Sequence, residues 1–303
     1  MNGTDAQVVV GVGTEDMRAA LAVAAEEAVR ARCGLHLVRA VHVPAVSAET
    51  LLVLPEVEDH SRVLLAAAVE QAEELVKGAV PVTQRLVVRA PVPALVDAGQ
   101  GARMVVLAHR RMSRAARLVE RSVTNAVATR LEVPVVAVPS GWQRSGSPLV
   151  VAGIDEADRA EDVLRAAIGE ARARGASLRL VHSFAVPAVY EDLLVGAGEV
   201  RRWEERGRAE LCAAVDRLGD ASVATEAEVV VRSGRAADVL LAEAADADLL
   251  VLGRHDPLVP IGSHLGPVVR AVLRDAPCPV LLITPRGTRR QDRSLAVSGR
   301  GAY

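Results

Sequence analysis

Two stretches of this sequence carry the residue types that could engage a polar ligand. Asp155 closes LVVAGID at 149–155, and Gly253 opens GRHDPLVPIGSHLGP at 253–267. A carboxylate just after a strand can accept from a ribose hydroxyl or an adenine amine. Glycines leading into a helix let backbone N–H groups approach phosphate oxygens, aided by the positive end of the helix. Ser183, near the end of another apolar run, adds a hydroxyl. Other chemistries find little support. Lys77 is the only lysine and follows Val76, so the Gly-Lys pair of a Walker A loop is missing. With Glu73 and Glu74 beside it, Lys77 reads as the solvated face of a helix rather than a Schiff-base residue. Cys33, Cys212 and Cys278 have no C-x-x-C spacing, which argues against a zinc site or a dithiol. No G-x-S-x-G elbow occurs, and no nucleophile, base and orienter can be assembled; the chain is read as a non-enzyme.

Composition narrows the partners. Of the 303 residues 50% are hydrophobic, 24% charged and only 2% aromatic, with a net charge of −2. So few aromatics disfavour stacking of single-stranded bases, and balanced charge creates no general field for DNA or an anionic membrane. No nucleic-acid or membrane partner is expected. The N-terminal MNGTDAQVVVGVG lacks a basic segment before a long apolar core, and no run reaches the length of a membrane span. Together with three scattered cysteines, this predicts a cytoplasmic protein.

The elements that must position these residues are written twice. Val9–Gly13 (VVGVG) answers Val151–Asp155 (VAGID), and Leu35–Val38 answers Leu178–Val181. Met104–Ala108 answers Leu249–Gly253, and Val133–Val138 answers Cys278–Ile283, at an offset that stays between 142 and 145. A constant offset of this size means two tandem domains rather than a short-period solenoid. Ser140–Pro148 (SGWQRSGSP) reads as the linker. The expected limits are 1–142 and 148–285, followed by 286–303 as a disordered basic tail with five arginines.

In the second copy Leu149–Ile154 is apolar throughout, and Leu164, Ala167, Ile168 and Ala171 then recur at helical spacing. Further strands are expected at 178–181, 229–231, 249–252 and 280–283, with helices over 191–218, 236–245 and 268–273. Strands without polar alternation are covered on both faces, as in parallel α/β layers. The predicted fold class is α/β, with two tandem doubly wound domains, each a five-stranded parallel sheet flanked by helices. In such sheets ligands bind beyond the carboxyl ends of the strands, where the strand order reverses.

This arrangement resembles the universal stress protein family, in a tandem two-domain form with an adenine nucleotide alpha hydrolase-like fold. The residues that carry the resemblance are AGIDEA at 152–157, the G-x-x-D-x9-G-P pattern from Gly253 through Asp256 to Gly266 and Pro267, and RAVLRDAPCPVLLI at 270–283. It spans nearly all of both copies. In ATP-binding members the acid holds the adenosine end, and a G-x-x-G-x9-G-[ST] loop holds the phosphates. The resemblance therefore implies a cofactor site for ATP or another adenine nucleotide in the second domain, built from Gly153, Ile154, Asp155, Ser183, Leu252, Gly253, His255, Gly262, Ser263 and Gly266. It also implies pairing of the two domains into a pseudo-dimer through 135–138 and 280–283, with further homo-oligomers open.

Departures from the family pattern erode that site. Asp256 stands at the second glycine, and Pro267 stands at the hydroxyl position with neither a side-chain donor nor an N–H. A carboxylate about 4 Å from a phosphate costs roughly 1 to 4 kcal/mol. Gly262 and Ser263 offer an alternative loop, at a spacing that differs from the family's. The first copy departs further: Gly13 replaces the acid, and the loop reads Ala108-x-x-Arg111-x9-Arg121-Ser122. Arg110, Arg111, Arg114, Arg117 and Arg121 cluster there, as a solvated face or an anion patch. His255 and His109 are read as polar contacts rather than metal ligands. The leading expectation is a non-enzymatic stress-response protein that acts through an unidentified protein partner or a ligand. The alternative is an ATP-binding sensor or slow ATPase with one working site in the second domain. A third possibility is a pocket for an apolar ligand at Leu258–Ile261.

Overall fold

The computed structural model describes residues 6–42, 48–109, 123–144, 146–185, 197–219, 226–254 and 265–284. The chain divides into two compact units with the main boundary after Arg144, the short stretch Cys278–Leu281 clustering with the first unit. The first unit runs β1 (Val8–Gly11), α1 (Arg18–Ala31), β2 (Leu35–Val41), α2 (Ala48–Val76), β3 (Val82–Val88), α3 (Pro91–Gly99), β4 (Met104–His109), α4 (Val123–Ala128) and β5 (Val135–Pro139). Its strands lie in the order β3-β2-β1-β4-β5, parallel throughout. Strand order reverses on either side of β1, so the crevice beyond β1 and β4 is the switch point.

The second unit repeats the plan with β6 (Leu149–Gly153), α5 (Glu161–Arg174), β7 (Ser177–Phe184), β8 (Glu228–Ser233), β9 (Leu249–Gly253) and β10 (Val280–Ile283). Its helices after α5 span Ala197–Asp216, Ala236–Glu243 and Pro267–Asp275, and its strand order is β8-β7-β6-β9-β10. The pairs β6–β7, β6–β9 and β7–β8 are parallel. The predicted fold class therefore holds for both copies. β7 and β8 extend one to three residues beyond the predicted runs, because Phe184 and Ser233 continue the ladder past the apolar stretch, whereas β6 stops at Gly153, one residue short. Of the predicted helix 191–218, the described part is Ala197–Asp216.

The core sits where the apolar runs are longest. Val8 and Val10, Val105 and Val106, Val150 to Ala152 and Leu250 and Val251 are all fully buried. Branched side chains tolerate the pleated backbone, and helices on both sheet faces remove them from water, for about 1.5 to 3 kcal/mol per large side chain. In α5 the buried residues are Val163, Leu164, Ala167, Ile168 and Ala171, the predicted stripe with Val163 added.

Helix ends differ between the copies. The N–H of Gly175 (φ 59°) closes α5 on Ala171 and Arg172, while the matching residue after α1 is Arg32, left-handed at φ 52°. Lys77 lies one residue past α2 with φ 49°, so it ends the helix rather than lining its face. No helix among the described residues is long and apolar enough to cross a membrane.

Candidate functional site

In the second unit the carboxyl ends of β6, β7 and β9 bring together most of the described candidate residues. Gly153 ends β6 opposite Leu252 of β9, and a Cβ there would lie 2.5 Å from Leu252 Cδ2 and 2.8 Å from Leu240 Cδ2. Gly153 and the buried Leu252 are thus taken up in packing sheet against helix. Gly11 of the first unit meets Leu107 and Leu95 in the same way. The N–H of Ile154 donates to the Val181 carbonyl at 2.9 Å, and its own carbonyl lies 3.0 Å from His182 Nδ1. A carbonyl only accepts, so Nδ1 carries the proton. These contacts hold the turn that leaves Asp155 exposed beyond β6.

Ser183 is half-buried and paired with Arg232 of β8. Next to it Phe184 meets Trp203 edge to face, with centroids 5.9 Å apart and an interplanar angle of 88°. Trp203 sits one turn before Gly207, whose missing side chain lets the helix approach: a Cβ there would lie 3.0 Å from Val231 Cγ1 and 3.5 Å from His182 Cδ2.

Gly253 ends β9, and Arg254 follows it with 7% exposure, its N–H donating to the Ile283 carbonyl at 2.8 Å. Burial lowers the Arg254 pKa to about 10. Gly266 is the N-cap of the helix Pro267–Asp275, with no side-chain cap and proline in its first turn. The backbone N–H groups that follow Pro267 have no acceptor within the helix, so they suit an oxyanion. His255, Asp256, Gly262, Ser263, the Leu258–Ile261 loop and the Arg110–Arg121 cluster lie outside the described residues.

The first unit builds its crevice from different chemistry. Arg39 takes the place of His182 and is 7% exposed. Its Nη1 donates to the carbonyls of Val12 at 3.1 Å and Gly13 at 2.8 Å. A Cβ on Gly13 would overlap the carboxylate of Glu15. The space that an acid at this position needs is therefore filled from two residues downstream. Burial lowers the Arg39 pKa, and Glu15 opposes that shift. Sequence reading passed over Glu15, Arg39, Arg254 and the Phe184–Trp203 pair, and placed His182 in no constellation. The repeat offset aligns Arg39 with His182 and held a signal for that pair; nothing in the sequence marks Arg254 as buried. No group of three or more His, Cys, Asp or Glu suited to a metal occurs among the described residues.

Residues 6–139 and 149–284 each match the Universal stress protein family. The chain belongs to that family. A universal stress protein of Mycobacterium tuberculosis is 33% identical over 232 residues, covering 74% of this chain and 77% of that protein. One from Mycolicibacterium smegmatis is 29% identical over 238 residues, covering 72% and 76%. Among solved structures, a universal stress protein from Archaeoglobus fulgidus superposes with a TM-score of 0.65 at 14% identity, over 93% of this chain and 97% of that one. A putative universal stress protein from Pseudomonas aeruginosa gives 0.61 at 16%, over 97% and 98%. At these identities the structures report the fold. The tandem universal stress architecture is thus common to the sequence repeats, the strand order and the relatives.

Proposed function

We propose that this universal stress protein works by binding rather than by chemistry, with two crevices that no longer do the same thing. The observation that carries this reading is the first-unit switch point, where the protein's own Glu15 and Arg39 stand in place of an acid at residue 13. A nucleotide site of the family type does not fit there, because the carboxylate that would hold adenosine is gone and the space is filled. In the second unit Pro267 heads the helix that would meet phosphates, which removes one N–H and the family hydroxyl together. The same proposal has the two units pairing through β5 and β10 and the whole acting on a protein partner in the stress response.

A second reading is favoured by one observation, the exposed Asp155 above a turn held by Ile154 and His182. On it, the second unit keeps a single adenine-nucleotide site, with ATP on Asp155, Gly253, His255, Gly262, Ser263 and Gly266, and the chain acts as an ATP-dependent sensor or slow ATPase. One experiment separates the two. Freshly purified protein is denatured and the released small molecules are identified by mass spectrometry, and ATP is then titrated onto the wild type and Asp155→Ala. The binding scaffold predicts no released nucleotide and no measurable ATP affinity. One ATP or AMP per chain, with affinity at least about tenfold weaker in Asp155→Ala, would establish the second reading instead.

A further inference from the structure

Arg39 is a buried charge with a donor left unmade. Its Nη1 is held by two backbone carbonyls, but its Nε is buried and has no hydrogen-bond partner. Among the described residues no carboxylate pairs with it directly; Glu15 acts on it at longer range. A guanidinium offers five donors in a planar fork, and leaving one buried and unmade is costly. The two carbonyls place this fork over the carboxyl end of β1, ahead of α1. That helix starts at Arg18 with Met17 as N-cap, no side-chain cap and no acidic residue in its first turn. Asp16, the nearest acid in the chain to that end, is engaged by Arg18 through side-chain and backbone hydrogen bonds. What remains is a buried cation with an unmade donor near the start of a helix whose first N–H, that of Arg18, is already taken by Asp16, and the carboxylate that acts on this cation is Glu15 in the bend before the helix.

The two copies make the same backbone contact with groups of different charge. In the second unit the turn presents an acid, Asp155, and its carbonyl is held by an imidazole. In the first unit the acid is Gly13 and the imidazole is Arg39, so the same backbone contact is kept by a group that is always charged. A plain loss of the nucleotide site would need the glycine alone.

We propose that the first-unit crevice binds a small oxyanion, a phosphate or carboxylate group, on the guanidinium of Arg39, and that the Glu15 carboxylate is the internal stand-in that the ligand displaces. Arg39 would receive the anion in fork geometry through Nε and a terminal nitrogen, while Nη1 keeps its carbonyls. Glu15 lies in a bend outside α1, so its side chain can leave without unwinding the helix. This site is independent of any nucleotide in the second unit.

Inorganic phosphate and acetate are titrated calorimetrically onto the full chain at pH 7.5 and low salt, using the wild type, Glu15→Gln and Arg39→His. Glu15→Gln removes the competing charge and is expected to tighten binding about fivefold. Arg39→His copies the contact that His182 makes in the other unit, so it keeps the carbonyl held while removing the cation; affinity should fall at least about tenfold. A preference for phosphate marks a phosphoryl ligand and a preference for acetate a carboxylate ligand, and either supports the site. Binding that survives Arg39→His, or no binding by both the wild type and Glu15→Gln, overturns it. Should Arg39→His fail to fold, Glu15→Gln decides alone: unchanged or weaker affinity is the overturning result.

Discussion

At the residue scale, three positions show how one side chain settles what a crevice can do. Asp155 stays exposed because Ile154 is pinned on both its N–H and its carbonyl, which fixes the turn beyond β6. Arg39 makes the corresponding carbonyl contact in the first unit and brings a permanent charge with it. Gly153 works through having no side chain. A valine there would drive into Leu252 and Leu240, with the first carbon already at 2.5 Å. Overpacking of this kind costs about 1 to 3 kcal/mol. Gly153→Val is therefore expected to lower the urea midpoint clearly, while Gly146→Ala, with nothing within 4 Å of its Cβ, changes it only through its positive φ of 75°. Equal losses in the two variants would contradict the packing role of Gly153.

At the element scale, the two copies offer an internal comparison of the same helix stop. Both α1 and α5 end in a left-handed residue whose N–H caps the last turn. The second copy uses Gly175, for which that conformation is free of Cβ strain; the first uses Arg32. Replacing Arg32 by glycine should raise stability by about 0.5 to 1 kcal/mol, read as a higher thermal midpoint, and Gly175→Ala should lower it by a similar amount. An Arg32→Gly variant no more stable than the wild type would mean that the Arg32 side chain compensates the strain. The elements themselves were legible. Continuous Val and Leu runs at constant offset could only be buried parallel strands, and the stripe at Leu164, Ala167, Ile168 and Ala171 is the buried face of α5. Their ends were less so, since Phe184 and Ser233 extend β7 and β8 by ladder hydrogen bonds that no hydrophobic pattern records.

At the scale of the whole molecule, charge is nearly balanced, with 36 basic and 38 acidic residues. The isoelectric point of about 6.4 lies close to neutrality. Self-repulsion is weakest there, so solubility at low salt should pass through a minimum near that pH and rise on either side, measured as light scattering across a pH series. A steady decrease in scattering from pH 5 to 8 would contradict the balanced surface. The difference between the copies also belongs to this scale: at equivalent turns one unit carries the exposed Asp155 and the other Gly13 with the Glu15 carboxylate and the buried Arg39 beside it.

The duplication, the five-stranded plan of each copy and the family were all legible in the linear sequence. These follow from periodicity and from the order of apolar runs, which local backbone geometry and burial dictate without knowledge of distant contacts. That Asp155 follows a strand, Gly253 ends one and Gly266 precedes a helix was legible too, because these positions follow from where apolar runs stop and helical spacing starts. Only the tertiary structure decided the character of the crevices. That Arg39 is buried with an unmade donor, that Glu15 reaches back into the space at Gly13, and that Leu252 packs over Gly153 all depend on neighbours brought close by the sheet. Side-chain direction and burial arise from contacts between residues far apart in the chain, such as Arg39 and Val12. A linear pattern carries no such distances.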